Sequence, residues 1–189
     1  VTYSRRDWFN LPNLITMARI IVVPVFMVIL LAHPAKSDGL RWVAVLLFVA
    51  AIATDGFDGA IARKRGLVTN LGKILDPIAD KALIGGAMVG LSWIGELPWL
   101  VTLVILVREV GITVYRMLVI RQRVIAASAG GKAKTILQGI VFGFLLSPLD
   151  FYLTWLQPLE QFLLLVTVAV TLWTGATYLR DALAKPSES

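Results

Sequence analysis

Apolar runs, each near the length of a membrane-crossing helix, succeed one another along this chain with short polar breaks between them. A spanning helix needs about 20 mostly apolar residues to cross roughly 30 Å of hydrocarbon. Runs of that kind occupy 14–32, 41–63, 76–95, 98–119, 133–149 and 156–179. The fifth is the shortest and is expected to be tilted or partly interfacial. The breaks carry turn chemistry at His33-Pro34, Ser37-Asp38-Gly39, Gly95-Glu96-Leu97-Pro98, Gly130-Gly131 and Ser147-Pro148. No segment alternates in the manner of a strand, and no fixed-period repeat is present. The pattern predicts an all-α integral membrane protein of six transmembrane helices, a single domain over 1–189 with the bundle at 14–179 and a tail at 180–189.

Composition agrees. Of 189 residues, 58% are hydrophobic and 16% charged, against roughly 45–50% and about 25% in soluble domains. The mean hydropathy of +0.80 is too high for a water-soluble surface or for disorder. The absence of Cys excludes disulfides, zinc–thiolate sites and thiol catalysis.

The net charge of +6 does not point to nucleic acid, because its placement follows the spans. Arg5 and Arg6 precede the first run, and Arg63, Lys64, Arg65 and Lys73 lie between the second and third. Arg121, Arg123, Lys132 and Lys134 lie between the fourth and fifth, and Arg180 and Lys185 follow the last. Lys36 and Arg41 fall on the opposite side. Lys and Arg accumulate on the cytoplasmic side, so both termini are expected there, in a multi-pass protein of the cell's inner membrane. Residues 1–12, with Arg5, Arg6, Trp8 and Phe9, read as an N-terminal amphipathic interfacial helix on anionic lipid; a solvated leader is the plainer alternative. This segment is not a signal peptide, since the next run is long and lacks a small-residue cleavage pattern. A chain that opens on Val1 is expected to continue a longer one.

Charge inside the runs is the feature that needs a function. Arg19, Lys81, Arg108 and Arg116 lie within or at the edges of the spans, with Asp55, Asp58, Asp76, Asp80 and Glu109. Each such group at mid-bilayer costs about 2.5–3.5 kcal/mol. Mutual neutralisation of Arg108 and Glu109 would be a simple account, but adjacent helical residues face different ways, which argues against it. Asp55 and Asp58 are three apart and Asp76 and Asp80 four apart, so each pair shares a helix face. The first pair closes the second run and the second opens the third, so a hairpin would gather all four. Four carboxylates repel one another unless protonated or metallated, and Mg²⁺ or Mn²⁺ is the natural partner for oxygen ligands. Carboxylates that merely cap helix ends and pair with Lys or Arg are the structural alternative. Gly56, Gly59, Ala60, Ala62 and Gly72 would let a ligand or backbone approach closely. Arg63 offers a phosphate-pairing fork and Thr69 a hydroxyl.

Asp55-x-x-Asp58-Gly59-x-x-Ala62-Arg63, then eight residues, then Gly72-x-x-x-Asp76-x-x-x-Asp80, resembles the signature of the CDP-alcohol phosphatidyltransferases at every fixed position. Members of that family transfer a phosphatidyl or similar group from a CDP-linked donor to an alcohol and release CMP. The resemblance implies that Asp55, Asp58 and Asp76 ligate metal, and that Asp80 lies near a second ion and accepts a proton. Two Mg²⁺ or Mn²⁺ ions would neutralise the donor diphosphate and stabilise the leaving CMP oxygen. Pro12-Asn13-Leu14-Ile15-Thr16-x-x-Arg19 is similar to the family's first-span opening, which implies that Asn13 and Thr16 lie by the CDP moiety. Asn13 would also serve as a helix N-cap. By the same resemblance Gly59, Arg63, Thr69 and Gly72 contact the nucleotide or diphosphate.

The acceptor is read from other cations. Arg108 and Arg116 are eight apart, about two turns along one helix face, and Lys132 and Lys134 follow in the next cytoplasmic segment. All four suit an anionic acceptor such as a phosphorylated alcohol, although juxtamembrane lysines also mark a cytoplasmic face. Arg108-Glu109-Val110, Arg116 and the Gly-Lys-x-Lys-Thr-x-x-Gln segment ending at Gln138 resemble the branch of the family that joins CDP-diacylglycerol to sn-glycerol 3-phosphate in phospholipid biosynthesis. Inositol phosphate or phosphatidylglycerol as acceptor stays open. A cation-coupled transporter would also bury carboxylates, but it should spread them over pseudo-symmetric halves.

Smaller signals add little chemistry. His33 beside Pro34 reads as a turn residue. Gly130-Gly131-Lys132 is not a P-loop, because Ala126 and Ala133 occupy the places of its first Gly and its Ser/Thr. Trp42, Trp93, Trp99 and Trp155 suit an aromatic belt. Gly86-x-x-x-Gly90 and Gly139-x-x-x-Gly143 suit close packing within the chain or between copies; the resemblance implies a homodimer.

Overall fold

The computed structural model describes residues 10–65, 70–119 and 129–183. The expected interfacial helix, Arg121 and Arg123 therefore lie largely or wholly outside the described residues, as does Thr69. Helices α1 (Leu11–Ala32), α2 (Gly39–Arg65), α3 (Asn70–Trp93), α4 (Trp99–Val119) and α5 (Ala129–Leu146) follow in order. A short α6 (Leu149–Tyr152) and a 3-10 turn lead into α7 (Gln157–Leu183). No strand occurs among the described residues.

Local chemistry sets several of the ends. Asn10 caps α1, its side chain accepting from the Asn13 N–H at 3.0 Å. Asn13 is thus inside the first turn and is not the cap that its place before the apolar run suggests. Asp38 starts α2 by accepting from the Leu40 N–H at 2.9 Å, while His33 Nδ1 closes on its other oxygen at 2.7 Å. His33 is the expected turn residue. Gly95 sits at φ 81°, a left-handed conformation that glycine adopts without a Cβ clash, and so reverses the chain between α3 and α4. Two boundaries differ from expectation. Gly130-Gly131 does not break the chain but lies in the first turn of α5. The third helix opens at Asn70, ahead of its apolar run, because helical geometry extends through the polar residues that precede Asp76.

α1 lies against both α2 and α3; α4 packs on α3 and α7, and α5 on α2, α3 and α7. The core joins Phe26 and Leu30 of α1, Phe48 of α2, Met88 and Leu91 of α3, Ile105 of α4, and Phe142 and Leu146 of α5, all buried. Phe26 and Phe48 meet edge to face at 5.9 Å. α1 and α3 run in the same direction and in step: Thr16 meets Asp76, Phe26 faces Gly86, and Leu30 faces Gly90. Any Cβ at Gly90 would come within 2.7 Å of Leu30 Cδ2, so this glycine lets the two helices seat closely. A Cβ at Gly139 would lie 3.1 Å from Ile52 Cδ1, a tight approach, and one at Gly143 3.6 Å from Phe48 Cε1, an ordinary contact. All four glycines therefore serve contacts inside the chain.

The outward faces are as apolar as the core. Ile21, Val28, Leu100, Val107, Leu165 and Trp173 are all well exposed, which fits lipid better than water. Among the described residues, Asn13–Ala32 and Thr154–Tyr178 are long and apolar enough to cross a membrane. α3 and α4, with 24 and 21 residues, also reach the roughly 20 needed, but charged residues interrupt them.

One end of the bundle is tied by Arg41, which is fully buried. Its guanidinium donates to the Leu146 carbonyl at 2.9 Å, the Pro34 carbonyl at 2.6 Å and the Glu96 carboxylate at 2.5 and 3.2 Å. Lys36 meets Asp150 beside it at 2.5 Å. Three connections are thereby gathered at one end, and Trp42, Trp93, Trp99 and Trp155 lie exposed near them.

Candidate active site

The opposite end holds the polar chemistry. Asp76 and Asp80 sit one turn apart on α3, Asp76 exposed and Asp80 partly buried. Thr16 of α1 donates its hydroxyl to Asp76 Oδ1 at 2.9 Å, which fixes that carboxylate. Asn13, Thr16 and Arg19 are all buried along the same segment of α1. The parallel register of α1 and α3 brings this pair together, joining the first-span motif to the aspartate motif. Gly72 is buried in the first turn of α3.

Asp80 is held differently. Lys81 Nζ lies 2.9 Å from Asp80 Oδ2 and 3.1 Å from Glu109 Oε2 on α4. Glu109 is 5% exposed and accepts from Arg108 Nη1 at 2.9 Å and from Gln138 Nε2 of α5 at 3.5 Å. Gln138 also donates to Thr171, and Arg108 Nη2 to Thr174 at 2.7 Å, both on α7. A Cβ at Gly175 would lie 3.2 Å from Arg108 Cγ, so this glycine makes room for the arginine stem. The expectation that Arg108 and Glu109 would not pair is corrected. The two backbones do face different ways, but both side chains are long enough to turn into the seam between α4 and α7.

Other expected residues are placed by their helices alone. Asp55, Asp58, Gly59 and Arg63 lie in the C-terminal half of α2, Arg116 near the end of α4, and Lys132 and Lys134 in the first turns of α5. Among the described residues no three potential ligands gather. The chemistry of Asp76 and Asp80 fits a hard divalent cation: both offer carboxylate oxygens, and Asp76 opens to the surface while Thr16 orients it.

The sequence profile of the CDP-alcohol phosphatidyltransferases matches residues 9–173, nearly the whole chain. The chain belongs to the CDP-alcohol phosphatidyltransferase family. It is 44% identical over 177 residues to a probable phosphatidylglycerophosphate synthase of Mycobacterium tuberculosis, covering 92% of this chain and 82% of that one. It is 40% identical over 181 residues to a CDP-diacylglycerol–glycerol-3-phosphate 3-phosphatidyltransferase of Bacillus subtilis, covering 90% and 93%. An enzyme of that same name from Shigella flexneri is 34% identical over 184 residues, covering 93% and 96%.

Within this CDP-alcohol phosphatidyltransferase, the bridge from Lys81 through Glu109 to Gln138 has no counterpart in the motif reading. Opposite charges at 81 and 109, each costly alone in an apolar run, were the available signal. Their pairing required the packing of α4 on α3, which one sequence does not reveal.

Proposed function

We propose that this protein is a metal-dependent phosphatidyltransferase that joins CDP-diacylglycerol to sn-glycerol 3-phosphate, yielding phosphatidylglycerol phosphate and CMP. The observation that carries the reading is the carboxylate pair Asp76 and Asp80, one turn apart with Thr16 on Asp76, inside a chain that matches the family throughout. The Bacillus subtilis and Shigella flexneri relatives, named for glycerol 3-phosphate, support that acceptor.

In this reading Asp55, Asp58, Asp76 and Asp80 hold Mg²⁺ or Mn²⁺, two ions in all, which when bound would neutralise diphosphate charge and stabilise the leaving oxygen. Asn13, Thr16, Gly59, Arg63, Thr69 and Gly72 receive the CDP part of the donor. Arg108, Arg116, Lys132 and Lys134 supply positive charge for the acceptor phosphate, Arg108 from a guanidinium already anchored on Glu109 and Thr174. A glycerol 3-phosphate hydroxyl oxygen attacks the lipid-side phosphorus and forms the new P–O bond. Its proton passes to the Asp80 carboxylate. The P–O bond to CMP breaks, and CMP leaves with the electron pair.

Six helices of the bundle span the inner membrane, both termini and the site face the cytoplasm, residues 1–12 lie along the lipid surface, and two copies form a homodimer. The lipid tails enter laterally between helices. Because the chain has no Cys, a single introduced Cys reports topology: Ser37→Cys should react with an impermeant maleimide from outside, and Lys185→Cys only after permeabilisation.

The activity is tested by CMP release from CDP-diacylglycerol in liposomes with Mg²⁺ or Mn²⁺, offering glycerol 3-phosphate, inositol 1-phosphate, inositol or phosphatidylglycerol. Release with glycerol 3-phosphate alone is expected, and Asp80→Asn should abolish it. Release with another acceptor would keep the chemistry and overturn the acceptor; none with folded protein would overturn the reading.

A further inference from the structure

We propose that Lys81 and Glu109 are positioning residues for Asp80, holding its carboxylate in the orientation that accepts the proton of the attacking hydroxyl; this rests on the role of Asp80 given above. Asp80 is the side chain for which a small rotation matters most, since a proton acceptor must lie within hydrogen-bond reach of the hydroxyl. Lys81 binds one of its oxygens, Oδ2 at 2.9 Å, which leaves Oδ1 as the oxygen to receive the proton. An ammonium on a four-carbon stem is a poor anchor alone, because the stem has many rotamers. Glu109 removes that freedom from a second helix, taking the same Nζ at 3.1 Å.

Glu109 is itself immobilised. It is almost wholly buried, and Arg108 and Gln138 hold its other oxygen at 2.9 and 3.5 Å. Those two residues reach Thr174 and Thr171 on α7. The orientation of one carboxylate on α3 is thus referred to α4, α5 and α7 together. Among the contacts described, Asp80 and Glu109 face Lys81 and Arg108. Loss of Glu109 would release Lys81 from its second anchor and draw it further onto Asp80. Loss of Lys81 would free Asp80 to turn and leave Glu109 facing it. Both changes act through Asp80 and should slow the chemical step; loss of Lys81 should leave substrate capture intact.

The test uses the full chain in liposomes, with Glu109→Gln, Lys81→Met, Lys81→Arg, the double variant Lys81→Met/Glu109→Gln, and Asp80→Asn as reference. Turnover is measured against both substrates, alongside CDP binding and thermal unfolding. Glu109→Gln and Lys81→Met are expected to lower kcat about 10- to 100-fold, the scale on which supporting residues act, with CDP binding nearly unchanged in both and both KM values nearly unchanged in Lys81→Met. Lys81→Arg should recover most of the rate, and the double variant should be no slower than the slower single one.

A rise in KM for either substrate in Lys81→Met would overturn the proposal, since Lys81 would then be holding substrate directly; Glu109 also anchors Arg108, so the Lys81 variants carry this readout. Additive losses, or wild-type kcat in both single variants with Asp80→Asn inactive, would overturn it too. Wild-type turnover in Asp80→Asn would instead remove the role of Asp80. If Glu109→Gln fails to fold, Lys81→Met against Lys81→Arg decides: slow and nearly normal supports positioning, and equal normal rates refute it.

Discussion

Arg41 and Asp76 both place charge at the ends of an apolar bundle, but their surroundings differ. Arg41 has no exposed surface, and every part of its guanidinium meets a carbonyl or the Glu96 carboxylate. Asp76 is exposed, with Thr16 orienting a single oxygen. The first arrangement is closed, which suits a clasp on three connections. The second leaves oxygen atoms available, which suits a site that must take up ligands and release them. Burial and partner count, more than the presence of charge, separate structure from function here.

The comparison yields graded predictions. With Asp76 as the metal ligand proposed above, Asp76→Asn should reduce CMP release by about 10²-fold or more, since losing a ligand should cost at least as much as losing its supporting partner, with the unfolding temperature barely changed. Equal damage to stability and rate would make Asp76 a structural residue. Arg41→Gln should do the reverse, destabilising the protein by about 3–5 kcal/mol, the scale for removing one partner of a buried ion pair, while the folded fraction keeps normal kcat. Thermal unfolding in detergent and turnover per folded molecule check both sides. Thr16→Val should raise the divalent-cation concentration for half-maximal turnover about tenfold, measured by Mg²⁺ or Mn²⁺ titration.

The smallest effect belongs to Asp38, in the connection between α1 and α2. Its contacts with the Leu40 N–H and then with His33 hold the carboxyl below its usual value of 3.8. A depressed folded-state pKa contributes stability that is present above the unfolded value and lost as pH falls through the folded one. Asp38→Asn should therefore cost slightly near neutrality and nothing in strong acid, a convergence that unfolding curves across pH would register. A difference that persists in acid would assign the effect to the helix start alone.

Much of this was legible in the residue order. The apolar runs are long enough to dictate helices, so each expected span is matched by a helix with ends shifted by a few residues. The aspartate spacing was legible because three- and four-residue intervals have one geometric meaning on a helix. What the sequence hides is contact between helices. Asn10 rather than Asn13 caps α1 because both are competent and only backbone geometry chooses. Lys81 meets Glu109 across helices that are neighbours only after folding. Arg108 reaches Glu109 because Gly175 on α7 leaves a gap for its stem.

The in-step seating of α1 on α3 changes what counts as near the site. Gly90 lies fourteen residues beyond Asp76 on the same helix, about 21 Å along its axis. By distance it belongs with the clasp end. Mechanically the two positions are teeth of one rack, since Leu30 meshes at Gly90 where Thr16 meshes at Asp76. A bulky residue at Gly90 would push α1 out of phase and carry the Thr16 hydroxyl away from its carboxylate. A variant survey ranked by distance from the aspartates would score that lesion as remote, whereas its symptom would be a loosened Thr16–Asp76 contact.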